Sequence, residues 1–142
     1  MDRRNVIAAG AAAAAAGLAG GAQAAADHPE VGMFKAVYLI KRRPDISHAE
    51  FRRRQVEDHY PLVEALPGLR RYRLDFFPPM DGADQPFDAI ATVWFDDKAA
   101  HDAALGSEAG QAAMADLPNM NDMSAMIALF GETGVARDDF PT

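Results

Sequence analysis

Two successive runs of strand, helix and strand occupy residues 33–130, and that order constrains the fold more than any single residue does. The first strand spans Met33 to Arg42. Phe34, Ala36, Tyr38 and Ile40 share one face of it, and Met33, Val37 and Leu39 share the other. Both faces are largely apolar, which predicts that both are covered. Pro44-Asp45 turns the chain. Ser47, with Glu50 three residues on, forms a capping box and starts a helix that Pro67-Gly68 ends. A second strand runs from Leu69 to Phe77, with Arg70, Tyr72, Leu74 and Phe76 alternating with Arg71, Arg73 and Asp75. Pro78-Pro79 and Asp81-Gly82 make a long loop.

The third strand, Phe87 to Phe95, sets Phe87, Ala89, Ala91, Val93 and Phe95 against Asp88, Ile90, Thr92 and Trp94. Asp96 or Asp97 caps the next helix, Lys98 to Leu105. That helix breaks at Gly106-Ser107 and resumes to Asp116. Ser124 to Phe130 reads as the fourth strand, and Gly131 onward as an acidic, poorly ordered tail. The order βαββαβ describes an α+β, ferredoxin-like domain: a four-stranded antiparallel sheet with both helices on one face. The other face would be bare, with Tyr38, Tyr72 or Trp94 exposed unless a second copy of the chain covers them.

His59 is the residue that points to chemistry. At about 100° per residue, Phe51, Val56, Leu62, Val63 and Leu66 fall on one apolar arc with His59 near its centre. An imidazole where leucine would pack better is either satisfied by a buried partner or faces a cavity and handles protons. The structural alternative is a bond to a backbone carbonyl near Pro61. Proline has no N–H, so the Glu57 carbonyl loses its helical donor and a kink is expected there. Tyr38, Tyr72 and Trp94 are candidates to line the same cavity and orient a polar atom of a ligand; the alternative is core or interface packing.

The remaining polar residues carry less. His28, His48 and His101 are read as solvent-facing. Asp97 and His101 have i, i+4 spacing, but no third metal ligand is evident. Met114, Met120, Met123 and Met126 read as core packing ahead of a copper site. No metal and no cofactor is expected, and a haem at His59 has no support in the surrounding residues. The chain has no cysteine, which excludes disulfides and thiolate chemistry.

Residues 1–26 read as a signal peptide and are set apart from the fold. Arg3-Arg4 precedes a bland Ala/Gly stretch, and Ala22-Gln23-Ala24 and Ala24-Ala25-Ala26 offer cleavage sites. The arginine pair resembles a twin-arginine export signal, with the general secretory route as the alternative; either predicts a periplasmic protein. The stretch is too short and too rich in alanine for a stable membrane anchor. Residues 27–32 form an arm, 33–132 the domain and 133–142 the tail. Cleavage takes the net charge from −7 to −8, a poor balance for nucleic acid, whose phosphates need Lys and Arg.

Four segments resemble the EthD-like group of the dimeric α/β-barrel superfamily, over residues 33–132. They are Lys41-Arg42-Arg43-Pro44-Asp45-Ile46-Ser47, Glu57-Asp58-His59-Tyr60-Pro61-Leu62-Val63, Leu66-Pro67-Gly68-Leu69-Arg70-Arg71-Tyr72, and the strand from Phe87 to Asp96. The His, the Pro and the apolar pair of the second segment match the family pattern. The resemblance implies a sheet-to-sheet homodimer with a ligand cavity between sheet and helices. It also implies relatives among metal-free lactone isomerases, polyketide cyclases and dehydratases, and a founding member in an oxidative ether-degradation system. A signal peptide departs from the mostly cytoplasmic family pattern. The expectation is a cofactor-free isomerase, cyclase or lyase acting on a small apolar oxygenated compound, with His59 as acid/base. The alternatives are an oxidoreductase or auxiliary component of an oxidative pathway, and a non-catalytic ligand-binding dimer.

Overall fold

The computed structural model describes residues 19–141. The proposed signal segment lies outside the described residues as far as residue 18; Ala19–Ala26 forms helix α1. The chain divides into two compact units, Met33–Glu132 and a second that joins the chain ahead of it to Thr133–Thr142. In the second unit, Val31 bridges Thr133, Thr133 Oγ1 donates to Glu30 at 3.0 Å and His28 lies 2.7 Å from Asp138. Among the described residues no helix is long and apolar enough to cross a membrane.

The unit Met33–Glu132 contains β1 (Phe34–Ile40), α2 (His48–Arg53), a π-helical turn (Arg54–His59) and α3 (Tyr60–Glu64). These are followed by β2 (Arg71–Phe76), β3 (Ala89–Phe95), α4 (Lys98–Gly106), α5 (Glu108–Asp116) and β4 (Ile127–Glu132). The sheet order is β2-β3-β1-β4, and every pairing is antiparallel. This is the expected ferredoxin-like α+β fold.

Strand alternation decides which side chains meet the helices. Ala36 pairs with Val93, and Ile40 with Ala89. All four are buried, beneath Val63, Leu66 and Ala104 at one end and Phe51 and Met120 at the other. The face opposite carries Val37, Leu39, Ile90, Trp94, Ile127 and Leu129, and there Ile127 and Leu129 are 44% and 54% exposed. Tyr38 and Tyr72 pair with Ala91 and Val93 and so lie on the helix side; only Trp94 of the three aromatics belongs to the open face. Trp94 is nonetheless 5% exposed, with the cations of Lys35 and Arg71 each 5.9 Å from its ring centre.

The caps behave as their residue types dictate. The Ser47 hydroxyl accepts from Glu50 N–H at 3.0 Å, while the Glu50 carboxylate turns to Arg53 and Arg54. Asp97 accepts from Ala100 N–H at 2.8 Å. Ser107 serves two helices: its hydroxyl donates to the Ala104 carbonyl at 2.5 Å and accepts from Gly110 N–H at 3.1 Å. Two boundaries differ from expectation at β4. Asp122 accepts from Ser124 N–H at 3.1 Å and folds Met123–Ala125 into a 3-10 turn, which delays the strand to Ile127. Gly131 and Glu132 then pair with Lys35 and Phe34, so they belong to the sheet and not to a tail.

Gly110 sets the closeness of the α4–α5 junction. A Cβ there would lie 2.2 Å from the Ala104 carbonyl oxygen and 2.4 Å from that of Leu105. Both obstacles are backbone, so relief requires moving a helix end. Gly110→Ala is expected to lower the unfolding free energy in urea by about 3 kcal/mol or more, the upper range of overpacking costs. A loss below about 0.5 kcal/mol, typical of a neutral surface change, would show that the junction is not tight.

Candidate functional site

His59 closes the π-helical turn that precedes Pro61. Tyr60 N–H bonds the Gln55 carbonyl, an i→i−5 contact where an α-helix would make i→i−4. The expected kink is thus realised as a local unwinding. Its effect is visible in the burial: Phe51, Gln55, His59 and Val63 are all buried at a constant spacing of four. In an uninterrupted α-helix that spacing drifts round the axis; the wider turn holds it in line. The apolar arc is corrected accordingly, with Val56 47% exposed and Gln55 1% exposed in its place.

His59 is 6% exposed, and its Nδ1 lies 3.0 Å from the carboxylate of Asp116 at the end of α5. Leaving a buried donor unpaired costs about 1–3 kcal/mol, which Asp116 prevents. Asp116 is itself placed by Asn119, whose side-chain amide donates to its other oxygen at 2.8 Å. A carboxylate only accepts, so the shared proton sits on Nδ1, and in the neutral ring Nε2 keeps a free lone pair. Among the described residues no group bonds Nε2.

That ring forms part of the wall of a cavity of about 110 Å³ between sheet and helices, lined also by Tyr38, Tyr72, Gln55 and Phe95. Met114 and Met123, 48% and 41% exposed, line it where it meets the surface. An enclosed apolar cavity of roughly 150 Å³ binds benzene; this one is smaller but opens to the surface, which leaves room for a single ring or a short chain. Among the described residues no Lys or Arg lines it. The polar residues among those that line it are His59, Gln55, Tyr38 and Tyr72, in a wall that is otherwise apolar. Burial, with a smaller push from Tyr60, raises the Tyr72 hydroxyl to about 12; burial alone raises Tyr38. Both therefore remain neutral phenols at ordinary pH. Gln55 Nε2 donates to Asn121 Oδ1 at 2.7 Å, a buried bond.

The structure brings His59, Tyr38 and Tyr72 to one cavity and leaves Trp94 on the opposite sheet face. The reason is the period of two: Val93 and Phe95 point to the helices, so Trp94 cannot. His101, expected in solvent, is 3% exposed and packs under the sheet against Phe34 and Phe95. On an alanine-rich helix the inward face leaves no mark in the sequence. Asp97 is engaged as a cap while His101 points inward, so the i, i+4 pair does not act together. His28 and His48 are partly covered too, beside Asp138 and Asp84 respectively. Asp116, Gln55 and Asn121 were not legible as site residues. Asp116 lies 57 positions from His59, and only tertiary packing joins them.

Comparison with known proteins agrees with this architecture. The family profile described as EthD domain matches residues 43–124. A 61-residue stretch is 34% identical to an uncharacterised 11.0 kDa protein encoded in the thcB-thcC intergenic region of Rhodococcus erythropolis, covering 43% of this chain and 59% of that one. The chain thus spans under two thirds of that relative's length. Among solved structures, an ethyl tert-butyl ether D (EthD) family protein from Bacillus halodurans superposes with a TM-score of 0.60 at 21% identity, over 70% of this chain and 97% of that one. A dimeric ferredoxin-like protein of unknown function from Thermobifida fusca gives 0.57 at 16% identity, over 71% and 92%. SnoaB, a cofactor-independent oxygenase from Streptomyces nogalater, gives 0.53 at 16% identity, over 78% and 99%. Since the profile spans more than half of the 142 residues, this protein belongs to the EthD domain family.

Proposed function

We propose that the protein is a small enzyme that moves protons on a neutral, mostly apolar, oxygenated molecule held between sheet and helices. One observation carries this reading: a buried imidazole that lines an apolar cavity is held at Nδ1 by a carboxylate, while its Nε2 has no partner among the described residues. A pinned imidazole with one free nitrogen is the arrangement general acid–base catalysis needs. The lack of a lining cation supports a ligand that enters uncharged. Tyr72 supplies a neutral hydroxyl able to donate to a carbonyl and steady the enolate that forms when His59 removes an adjacent proton. Isomerisation, cyclisation and elimination all follow from that step. Such chemistry requires no cofactor, and export to the periplasm by the N-terminal segment belongs to the same proposal.

A second reading has one specific support. A structural neighbour is a cofactor-independent oxygenase, and a substrate carbanion formed by His59 could pass electrons to dioxygen. Oxygen consumption during turnover separates the two chemistries.

The assembly proposed is a homodimer through the open sheet face, where Ile127 and Leu129 are exposed beside Val37, Leu39 and Ile90. Sedimentation is expected to give twice the protomer mass for the wild type and a protomer for Leu129→Arg. A monomeric wild type would reject the assembly.

The function is tested on the compound that native mass spectrometry finds bound after purification. With it, His59→Gln is expected to bind but turn over about 10²–10⁴-fold more slowly, the worth of a placed acid/base. Full activity in the folded variant would remove His59 from the chemistry.

A further inference from the structure

His101 is an imidazole boxed in by phenyl rings. Phe34, Phe95 and Phe130 have ring centres 5.1, 5.4 and 5.8 Å from its own. Leucine or phenylalanine would fill this space without desolvating two polar nitrogens, which is costly unless both are bonded. Both are bonded. Nδ1 lies 3.0 Å from Asp102 Oδ1, and Nε2 lies 3.4 Å from the hydroxyl of Tyr38, which lines the cavity. A line of contacts therefore runs from the cavity wall through the buried ring to a carboxylate 52% exposed at the surface.

The protons along this line can be placed. Asp102 is held below the usual carboxylate range, first by the hydrogen bond from Lys98 and then by that from His101. It is ionised and only accepts, so Nδ1 of His101 carries a proton. In the neutral ring Nε2 is then an acceptor, and the Tyr38 hydroxyl donates to it. The proton of Tyr38 is committed to His101, and its oxygen lone pairs are what remain for an occupant. Tyr72 is opposite in sense: among the described residues its hydroxyl has no partner, so its proton is available. The titratable groups facing His101 are Asp102 of its own helix, itself paired with Lys98, and Tyr38 of β1. β3 and β4 face it with Phe95 and Phe130.

We propose that Tyr38, His101 and Asp102 form a proton-accepting relay that recognises a phenolic or enolic hydroxyl of the ligand and stabilises it as the oxyanion. This deepens the proposed function and rests on the same cavity being the reaction site. In the step, the ligand O–H bond breaks and its electron pair stays on the ligand oxygen. The proton passes to the Tyr38 oxygen while Tyr38 passes its own to Nε2 of His101. Tyr38 ends neutral and His101 ends as an imidazolium facing the Asp102 carboxylate; nothing is oxidised or reduced. The 3.4 Å contact is long for a hydrogen bond, and such contacts shorten as charge develops. Tyr38 is the catalytic residue of the relay, and His101 and Asp102 act through it as positioning residues.

The test uses 4-nitrophenol, whose anion is coloured, titrated with pH at saturating protein. The wild type is expected to lower the apparent pKa of the bound probe by about one unit, the effect of a newly placed opposite charge. His101→Phe keeps the aromatic packing and should abolish that shift. Asp102→Asn, a surface change that leaves the core intact, should remove at least half of it, and His59→Gln should retain it. The relay is overturned if both relay variants keep the full shift, or if the wild type binds the probe only as the neutral phenol or not at all. A shift lost in His59→Gln and kept in His101→Phe also overturns it while leaving His59 as the cavity's base. A shift that survives in His59→Gln, in a protein whose turnover ignores that substitution, upholds the relay and fails the role of His59.

Discussion

Pro61 has no N–H to give, and the helical wall of the cavity is organised round that missing donor. An α-helical register through Arg54–His59 would leave the Glu57 carbonyl facing a ring that cannot bond it. The chain adopts a π-helical turn instead. The cost is some backbone bonding on an exposed stretch that water can solvate. The result is a straight inward column of Phe51, Gln55, His59 and Val63. Without the turn, Val56 would compete for the place of Gln55, and His59 would not stand opposite Asp116. The ring is thus positioned twice, by the turn along its own helix and by a carboxylate delivered from α5.

That second positioning depends on the Ser107–Gly110 junction. Ser107 ends one helix and begins the next, and Gly110 lets the two approach to a distance that a Cβ would forbid. Asp116 sits two turns further on. The chemistry proposed for the helix side therefore rests on a glycine and a serine outside the cavity lining. On the sheet side the same economy holds: pleat alternation alone turns Tyr38 and Tyr72 to the cavity and Trp94 away from it. Each buried imidazole is matched to an acidic partner, which is why an apolar interior accommodates two of them without unpaired donors.

Much of the fold is readable from residue order. Alternation marks three of the four strands to within a few residues. Ser47 announces one helix start and the Asp96-Asp97 pair another, of which Asp97 is the cap, and the Gly106-Ser107 break falls where the helices divide. His59 stands out because a polar ring interrupts an apolar arc. What cannot be read is anything decided by register or by distance in sequence. The exchange of Val56 for Gln55 follows from a bonding pattern that a fixed 100° projection does not contain. Asp116 and Asn121 meet their partners only after α5 and the following loop are packed. His101 sits among alanines, so the sequence holds no contrast from which its inward direction could be taken.

The proposed role of His59 depends on which of its nitrogens carries the proton when the ring is neutral. Nitrogen-15 NMR of the labelled imidazole measures this directly, through the separate resonances of protonated and unprotonated ring nitrogens. A proton on Nδ1, with Nε2 bare, is the predicted state, lost on Asp116→Ala. A neutral ring protonated at Nε2, indifferent to Asp116, would contradict it, because Nε2 would then have no free lone pair with which to act as a base.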